Sequence, residues 1–323
     1  MLTRLAARAL AGFGVVAGVV TLTFVLLRLA PGDPVEHLLG STARPEQVAA
    51  QRHALGLDRS IPVQYTAWVS RFVRGDWGVS IAQGRPVRTV LGDAWPATVR
   101  LVGLSLVLSY LLGIAIGAVQ AHRDGSRTDT ALSVITVTLF AVPGYWLGLM
   151  LVMVFTYWAR ALPAFGAAGL DADFLTGWGR LVDGARHLAL PLATLTLIGI
   201  GGSARFVRGA MLDLRSQQFV TTARAKGLSP WRVTLRHTLR NALTPVVTLL
   251  GLSLPALFSG AVFVEAVFAW PGVGRVLVEA VQARDYPVVM AATAVSAGLV
   301  VTGNLVADVL AAWLDPRLRK QDA

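Results

Sequence analysis

The chain has 323 residues, of which 54% are hydrophobic and 15% charged, with a mean hydropathy of +0.61. Soluble domains carry about a quarter charged residues, so this balance makes lipid the main solvent and sets aside the two soluble domains that length alone would allow. Cysteine is absent, which excludes disulfides, thiolate catalysis and Cys-based zinc sites, and the net charge of +11 points to nucleic acid only until the positions of the basic residues are read.

A transmembrane helix needs about 20 mostly apolar residues. Uncharged runs near that length occur at Ala9–Leu27, Leu101–Ala121, Thr130–Ala159, Leu188–Ala204, Asn241–Val264 and Tyr286–Ala307. The sequence therefore predicts an all-α integral membrane protein with six transmembrane helices. Arg4 and Arg8 precede the first run as in a secretory signal, but the run is longer than a signal core and no small-residue cleavage site precedes Pro31, so it reads as a retained anchor.

Between the first two runs lies a structured outer segment. Pro45-Glu46 opens a helical pattern that Gly56 can close, and Ile61 to Arg74 is a second, amphipathic stretch with Tyr65, Trp68 and Phe72 at helical spacing. Gly75-Asp76-Trp77-Gly78 breaks it. The stretch suits either a small helical cap over the outer mouth or a loop lying on the bilayer. In the second run, Gly113 and Gly117 form a GxxxG that suits a packing seam. The third run exceeds what a span needs, so tilt or extension into the headgroups is expected, with Tyr157 and Trp158 in an interfacial belt. Pro143, Pro191, Pro245 and Pro255 lie within apolar runs, where prolines favour kinks that either shape a gate or are simply packed.

The segment from Arg205 to Arg240 is the most informative. Gly227 can take the left-handed conformation that ends one helix; Ser229 suits the N-cap and Pro230 the first position of the next, which runs through Leu235, His237 and Leu239. Arg224, Lys226, Arg232 and Arg236 make this elbow basic, while Phe219, Val220, Ala223 and Leu228 offer apolar contacts. Such a helix can dock in a groove of a soluble partner, or touch acidic headgroups as an ordinary inside loop.

Six spans put both termini on one side. If that side is the cytoplasm, the inner segments hold 15 Lys and Arg against six acids, eight of the bases lying from Arg205 to Arg240 with Asp213 as the one acid. The outer segments hold 14 bases and 12 acids, but nine of those bases sit between Arg28 and Arg100, in a loop too long to weigh heavily in the positive-inside rule. The basic surplus thus flanks spans, and nucleic acid is not an expected partner.

The motifs add a resemblance. Thr221-Thr222-Ala223, followed by Gly227, resembles the EAA loop of bacterial ABC importer permeases, the coupling helix seated on the ATP-binding subunit. Two positions depart from the general pattern, Thr221 in place of glutamate and Arg240 in place of proline. Thr222-Ala223-Arg224-Ala225-Lys226-Gly227-Leu228, with Arg236-His237 and Arg240-Asn241-Ala242-Leu243-Thr244-Pro245, is similar to the dipeptide/oligopeptide/nickel branch, where such departures occur. Leu29-Ala30-Pro31-Gly32-Asp33-Pro34, the turn from Val264-Glu265 to Trp270-Pro271-Gly272-Val273-Gly274, Arg284-Asp285-Tyr286-Pro287 and Leu314-Asp315-Pro316-Arg317 resemble the same branch in the same order.

The resemblance implies the type I ABC importer permease fold and a division into an N-terminal region and first span (1–30), an outer helical segment (31–98), a five-helix core (99–316) with its coupling loop at 205–240, and a cytoplasmic tail (317–323). It assigns ATPase coupling to Thr221 through Pro230. The outer signature turns are Pro31, Gly32, Asp33 and Pro34, and Glu265, Trp270, Pro271, Gly272 and Gly274. It implies a sibling permease, two ATP-binding subunits that hold ATP and magnesium, and an extracytoplasmic solute-binding protein that sets much of the peptide specificity; no cofactor is expected in this chain. Nickel chelates or glutathione are the alternative solutes within the branch.

No G-x-x-x-x-G-K-[ST] occurs, so hydrolysis of ATP needs a separate subunit. An ion-coupled carrier is the competing class, but such proteins carry ionisable groups within the membrane. None lies inside the six runs, and Asp308 follows the sixth. The five histidines (37, 53, 122, 187 and 237) lack catalytic or metal spacing, so the chain is not expected to be an enzyme. Glu265 and Arg275 bracket the Trp270-Pro271-Gly272 turn, as a pair, as lining of the outer entrance, or as exposed loop charges.

Overall fold

The computed structural model describes residues 2–30, 32, 35, 39, 43–54 and 56–314, with side chains except at 2–5, 247–248, 251–252, 254–260, 307–308 and 310–314. Pro31, Asp33, Pro34, His37, the Asp315-Pro316-Arg317 end and the 317–323 tail lie outside the described residues, as do the side chains of Pro255 and Asp308. The architecture is helical; among the described residues the sole β pairing is an isolated antiparallel bridge between Val79 and Pro86.

In chain order the principal helices are α1 (Leu2–Leu29), α2 (Pro45–Ala54), α3 (Ile61–Val73), α4 (Val87–His122), α5 (Arg127–Ala141), α6 (Gly144–Val152), α7 (Gly177–Asp213), α8 (Gln218–Ala225), α9 (Pro230–Arg232), α10 (Arg240–Val267), α11 (Val273–Gln282) and α12 (Tyr286–Leu314). Among the described residues four carry apolar windows able to cross a bilayer, in α1, α4, α7 and α12, and a bent pair, Arg127–Ala141 with Gly144–Trp158, is a fifth candidate. At 1.5 Å per residue, the 36 and 37 residues of α4 and α7 reach about 55 Å, well beyond a ~30 Å hydrocarbon core. They must project from it.

The third apolar run is broken where a proline-induced kink is expected: Arg127–Ala141 and Gly144–Trp158 are bent by 105°. Proline explains the break. Val142, before Pro143, is extended (φ −74°, ψ 130°), as a residue preceding proline favours, and Pro143 has no N–H with which to continue α5. The helix α6 then opens into π-type turns over Met153–Trp158, where Tyr157 and Trp158 are exposed.

The chain divides into two compact units, Val99–Trp270 with Gly303 onward, and Leu2–Thr98 with Pro271–Thr302. In the first, α5, α6 and α10 pack on α7. The predicted GxxxG is a seam in this unit. A Cβ at Gly117 would stand 2.6 Å from Ala204 O on α7, and one at Gly113 would collide with the Ser203 hydroxyl. Hydrogen bonds cross the seam, from Ser203 Oγ to Ser109 O (2.9 Å) and from Ser109 Oγ to Thr196 O (3.2 Å).

In the second unit the segment between the first two apolar runs is helical over Pro45–Ala54 and Ile61–Val73, as its pattern predicts. Tyr65, Trp68 and Phe72 share the face of α3 packed against Val20, Phe24 and Met290, with Phe24 edge-on to Tyr65 at 5.2 Å and Trp68 stacked on Phe72 at 4.9 Å. In the turn between α2 and α3, His53 Nδ1 lies 2.6 Å from Asp58 Oδ2, and that hydrogen bond holds the Asp58 carboxyl below the ordinary carboxylate range.

Asp285 ties this unit together. Its buried carboxyl accepts from the hydroxyl of Ser80, from the N–H of Ala82 (3.2 Å) and from that of Val288 (3.4 Å), so that it caps α12 and holds the 80–82 loop at once. Replacing it with alanine orphans buried donors and removes a cap. Asp285→Ala is expected to cost about 2–4 kcal/mol, read as a lowered heat-denaturation midpoint in detergent, with Asp285→Asn retaining part of the loss.

Candidate functional site

The elbow between α8 and α9 forms as its sequence dictates. Lys226 closes α8, and Gly227 follows at φ +75°, with its N–H donating to Arg224 O at 2.9 Å. Ser229 is extended (φ −60°, ψ 145°) and Pro230 takes the first helical position. The Ser229 hydroxyl, however, makes no capping hydrogen bond; the residue works through its backbone, its carbonyl accepting from Val233 N–H at 3.0 Å. From Pro230 the chain runs through π-type turns at Val233–Leu239 directly into α10.

Which face is free differs from expectation. Val220 and Ala223, read as contacts for a partner, are buried inside the elbow, packed with Val233 and against Leu228. Three small apolar residues bring α8 and the start of the next helix together. The outward face consists of Thr221, Thr222, Arg224, Ala225 and Lys226, with Phe219 at its edge, and on the following turns Trp231, Arg232, Leu235 and Arg236. Its chemistry is hydroxyl, basic and aromatic.

Two connections tie the elbow to the long helices. His122, ending α4, lies 2.9 Å from Thr234 Oγ1 and meets the edge of Trp231 at 4.6 Å. Arg208, in the last turns of α7, donates through Nε and Nη2 to the two oxygens of Asp129, each at 2.8 Å, and through Nη2 to Asp124 at 3.0 Å. Arg215, in the turn that leads to α8, reaches Asp124 at 2.9 Å. Asp129 is 4% exposed and also accepts from the Gly125 N–H, while the Ser126 hydroxyl caps α5 by accepting from Asp129 N–H. A cleft of about 270 Å³ between these parts is bordered by His122, Arg215, Arg224 and Thr238.

Sequence reasoning did not find this network. Asp124, Asp129, Arg208 and Arg215 entered only as counts in the charge balance. Asp124-Gly125-Ser126, a turn followed by an acid in the first helical turn, was the available signal.

The outer signature residues do other work. Gly32 is left-handed (φ +101°), and a side chain there would meet the Arg284 guanidinium. Glu265 is not an exposed loop charge: it is fully buried at the end of α10, where its carbonyl accepts from Trp270 N–H at 2.9 Å. Arg275 pairs with Glu279, four residues on, at 2.6 Å. Trp270 is fully buried under the Arg100 guanidinium, 5.0 Å from the ring centre, and Phe268 O accepts from Gly166 N–H. Pro271 is exposed; Gly272 precedes α11 and Gly274 is buried in its first turn. From Glu265 to Gly274 these residues fix a turn.

Residues 110–320 match the family described as binding-protein-dependent transport system inner membrane component, and residues 1–102 match its N-terminal family. The chain belongs to this permease family.

Relatives of the permease are similar over nearly their whole length. They include the oligopeptide transport system permease protein AppB of Bacillus subtilis (38% identical over 96% of this chain and 97% of that one) and the di/tripeptide transport system permease protein DppB of Pseudomonas aeruginosa (37%, 94% and 95%). The probable D,D-dipeptide transport system permease protein DdpB of Escherichia coli is 40% identical over 94% of each chain. Among solved structures, the MetNI methionine ABC transporter in inward-facing conformations superposes with a TM-score of 0.54, at 16% identity, over 71% of the permease and 98% of its own chain. The permease is thus a multi-pass membrane subunit of an ABC transport system. At that identity the likeness is one of fold.

Proposed function

We propose that this permease is the membrane-spanning subunit of an ATP-driven importer of peptides, with the elbow at Thr221–Pro230 as the contact through which separate ATP-binding subunits move it. The observation that carries the reading is the division of the elbow into two faces: Val220 and Ala223 hold it to Val233, leaving a hydroxyl and basic face outward that none of the described residues covers. The ion pairs of Arg208 and Arg215 and the contact of His122 with Thr234 make it a stiff end of α4 and α7 rather than a loose loop. Displacing the elbow then displaces the helices that frame a recess of about 620 Å³ bordered by Tyr110, Phe140, Arg205, Phe206 and Ser253. Its wall is mostly apolar with a few hydroxyls, which suits solutes that vary in side chain.

The peptide substrate rests on the names of the relatives, each similar over almost its full length. The finer parts of the proposal are six spans, with α10 as the remaining one, both termini in the cytoplasm, an outer helical segment at 31–98, a sibling permease, two ATP-binding subunits holding ATP and magnesium, and an extracytoplasmic solute-binding protein. Coupling is then a two-state rocking driven by closure of the ATPases on the elbow.

Charge reversal of the outward face tests the reading. In proteoliposomes holding the whole transporter, Arg224→Glu/Lys226→Glu is expected to lower peptide uptake at least tenfold while the permease still inserts, because like charges then meet the acidic partner surface that a basic face requires. Unchanged uptake, or transport by the permease alone without any ATPase, overturns it; the second outcome would place the chain among ion-coupled carriers.

A further inference from the structure

The second unit holds a cleft of about 130 Å³ between the end of α1, the face of α3 and the start of α12. Three guanidinium groups border it, Arg28, Arg59 and Arg71, and among the described residues no carboxylate does. Asp58, between the lining residues Leu57 and Arg59, is engaged by His53. The Arg28 guanidinium lies 5.1 Å from the Phe24 ring and 5.0 Å from that of Tyr286, so that both aromatic faces cover it. Two buried donors at the cleft, Arg28 Nε and Trp68 Nε1, have no hydrogen-bond partner among the described residues. Gln64 anchors the floor by donating to Leu57 O and Arg59 O. Buried donors left unmade are costly, and clustered cations without a counter-charge are costlier. An oxyanion would answer both the donors and the charges.

The position of the cleft indicates the bearer of that oxyanion. Arg28 stands at the last turn of the apolar window Ala6–Leu29, the depth at which hydrocarbon gives way to headgroups. On the same helix Leu22, Leu26 and Leu29 are 60%, 57% and 72% exposed, a surface that acyl chains cover. An anion carried on two apolar tails satisfies both halves of this surface; a free anion satisfies one.

We propose that this cleft binds the phosphate of an anionic phospholipid headgroup, with Arg28 and Trp68 as buried donors and Arg59 and Arg71 as the outer clamp. The proposal is independent of the transported solute. The test uses the purified full chain in nanodiscs of phosphatidylglycerol or of phosphatidylcholine, reading retained lipid by native mass spectrometry and the heat-denaturation midpoint. Wild type is expected to retain phosphatidylglycerol preferentially and to melt higher in it. Arg59→Gln/Arg71→Gln, both on exposed side chains, is expected to weaken retention roughly thirtyfold, at about 1 kcal/mol for each basic residue. Arg74→Gln, an exposed arginine away from the cleft, should leave it unchanged and controls for loss of general surface charge. Equal retention of the two lipids, or an undiminished preference in the double variant, overturns the proposal. So does a midpoint in phosphatidylcholine that millimolar inorganic phosphate raises as far as phosphatidylglycerol does, since the ligand would then be a soluble oxyanion.

Discussion

Gly117→Val should abolish accumulation of folded permease. A Cβ on Gly117 would lie 2.6 Å from the Ala204 carbonyl oxygen and 2.8 Å from Val207 Cβ, so α4 and α7 must separate to admit it. Separation also breaks the hydrogen bond from Ser203 to Ser109 O and that from Ser109 to Thr196 O. Overpacking costs about 1–3 kcal/mol and each interhelical hydrogen bond about 0.6 kcal/mol in membranes, so the expected loss is about 2–4 kcal/mol. Gly117→Ala should cost about half of that. Trimming the neighbour distinguishes this clash from ordinary crowding: because the obstruction at Ala204 is backbone, Val207→Ala should fail to rescue Gly117→Ala. The measurement is the yield of monodisperse protein after solubilisation and its heat-denaturation midpoint. A Gly117→Val protein as abundant and as heat-resistant as wild type would show that the two helices do not meet there.

That seam was legible in the sequence because GxxxG sets two small residues on one helix face, a property of spacing alone. The elbow was legible for a related reason: Gly227, Ser229 and Pro230 act through local backbone preferences, and the helices around them begin and end where those residues require. The tryptophan and tyrosine face of α3 followed from helical period. What the sequence did not reveal depends on which way a residue turns within the fold. Val220 and Ala223 look like docking residues until Val233, ten or more positions away, proves to be their partner. Glu265 stayed open between a pair, an entrance lining and a loop charge because the apolar run was drawn to end at Val264, whereas α10 continues to Val267 and Glu265 is buried. The third apolar run was legible as a kinked one from Pro143, but hydropathy counts only apolar residues and could not give the size of the bend. Asp285 sat inside a matched motif with no role attached, since its acceptors' donors lie some 200 residues back at Ser80 and Ala82.

Arg208→Leu is the substitution that should separate hydrolysis from movement. The guanidinium grips both oxygens of Asp129 in a two-pronged arrangement, reaches Asp124 with the same Nη2, and shares Asp124 with Arg215 at the mouth of the elbow. Removing it leaves a 4% exposed carboxylate with only the Gly125 N–H and the Ser133 hydroxyl. Breaking a buried pair from one side costs about 3–5 kcal/mol; since the Arg208 side chain is 30% exposed, about 2–4 kcal/mol is the expected loss here. Arg208→Lys should lie between, because an ammonium cannot make both parallel bonds. Asp124→Asn, which spares the grip on Asp129, should cost about 1 kcal/mol or less. The functional consequence follows from place rather than from energy. With the turn between α4 and α5 released from the end of α7, a push on the outward face of Arg224 and Lys226 rotates the elbow alone and the long helices stay behind. In the reconstituted transporter Arg208→Leu is therefore expected to keep ATP hydrolysis within about twofold of wild type while peptide uptake falls at least tenfold, a difference of about 1.4 kcal/mol in coupling. A parallel decline of both rates would make the network a matter of stability only, and unchanged uptake would show that the elbow transmits its motion through α10 without needing the ion pairs.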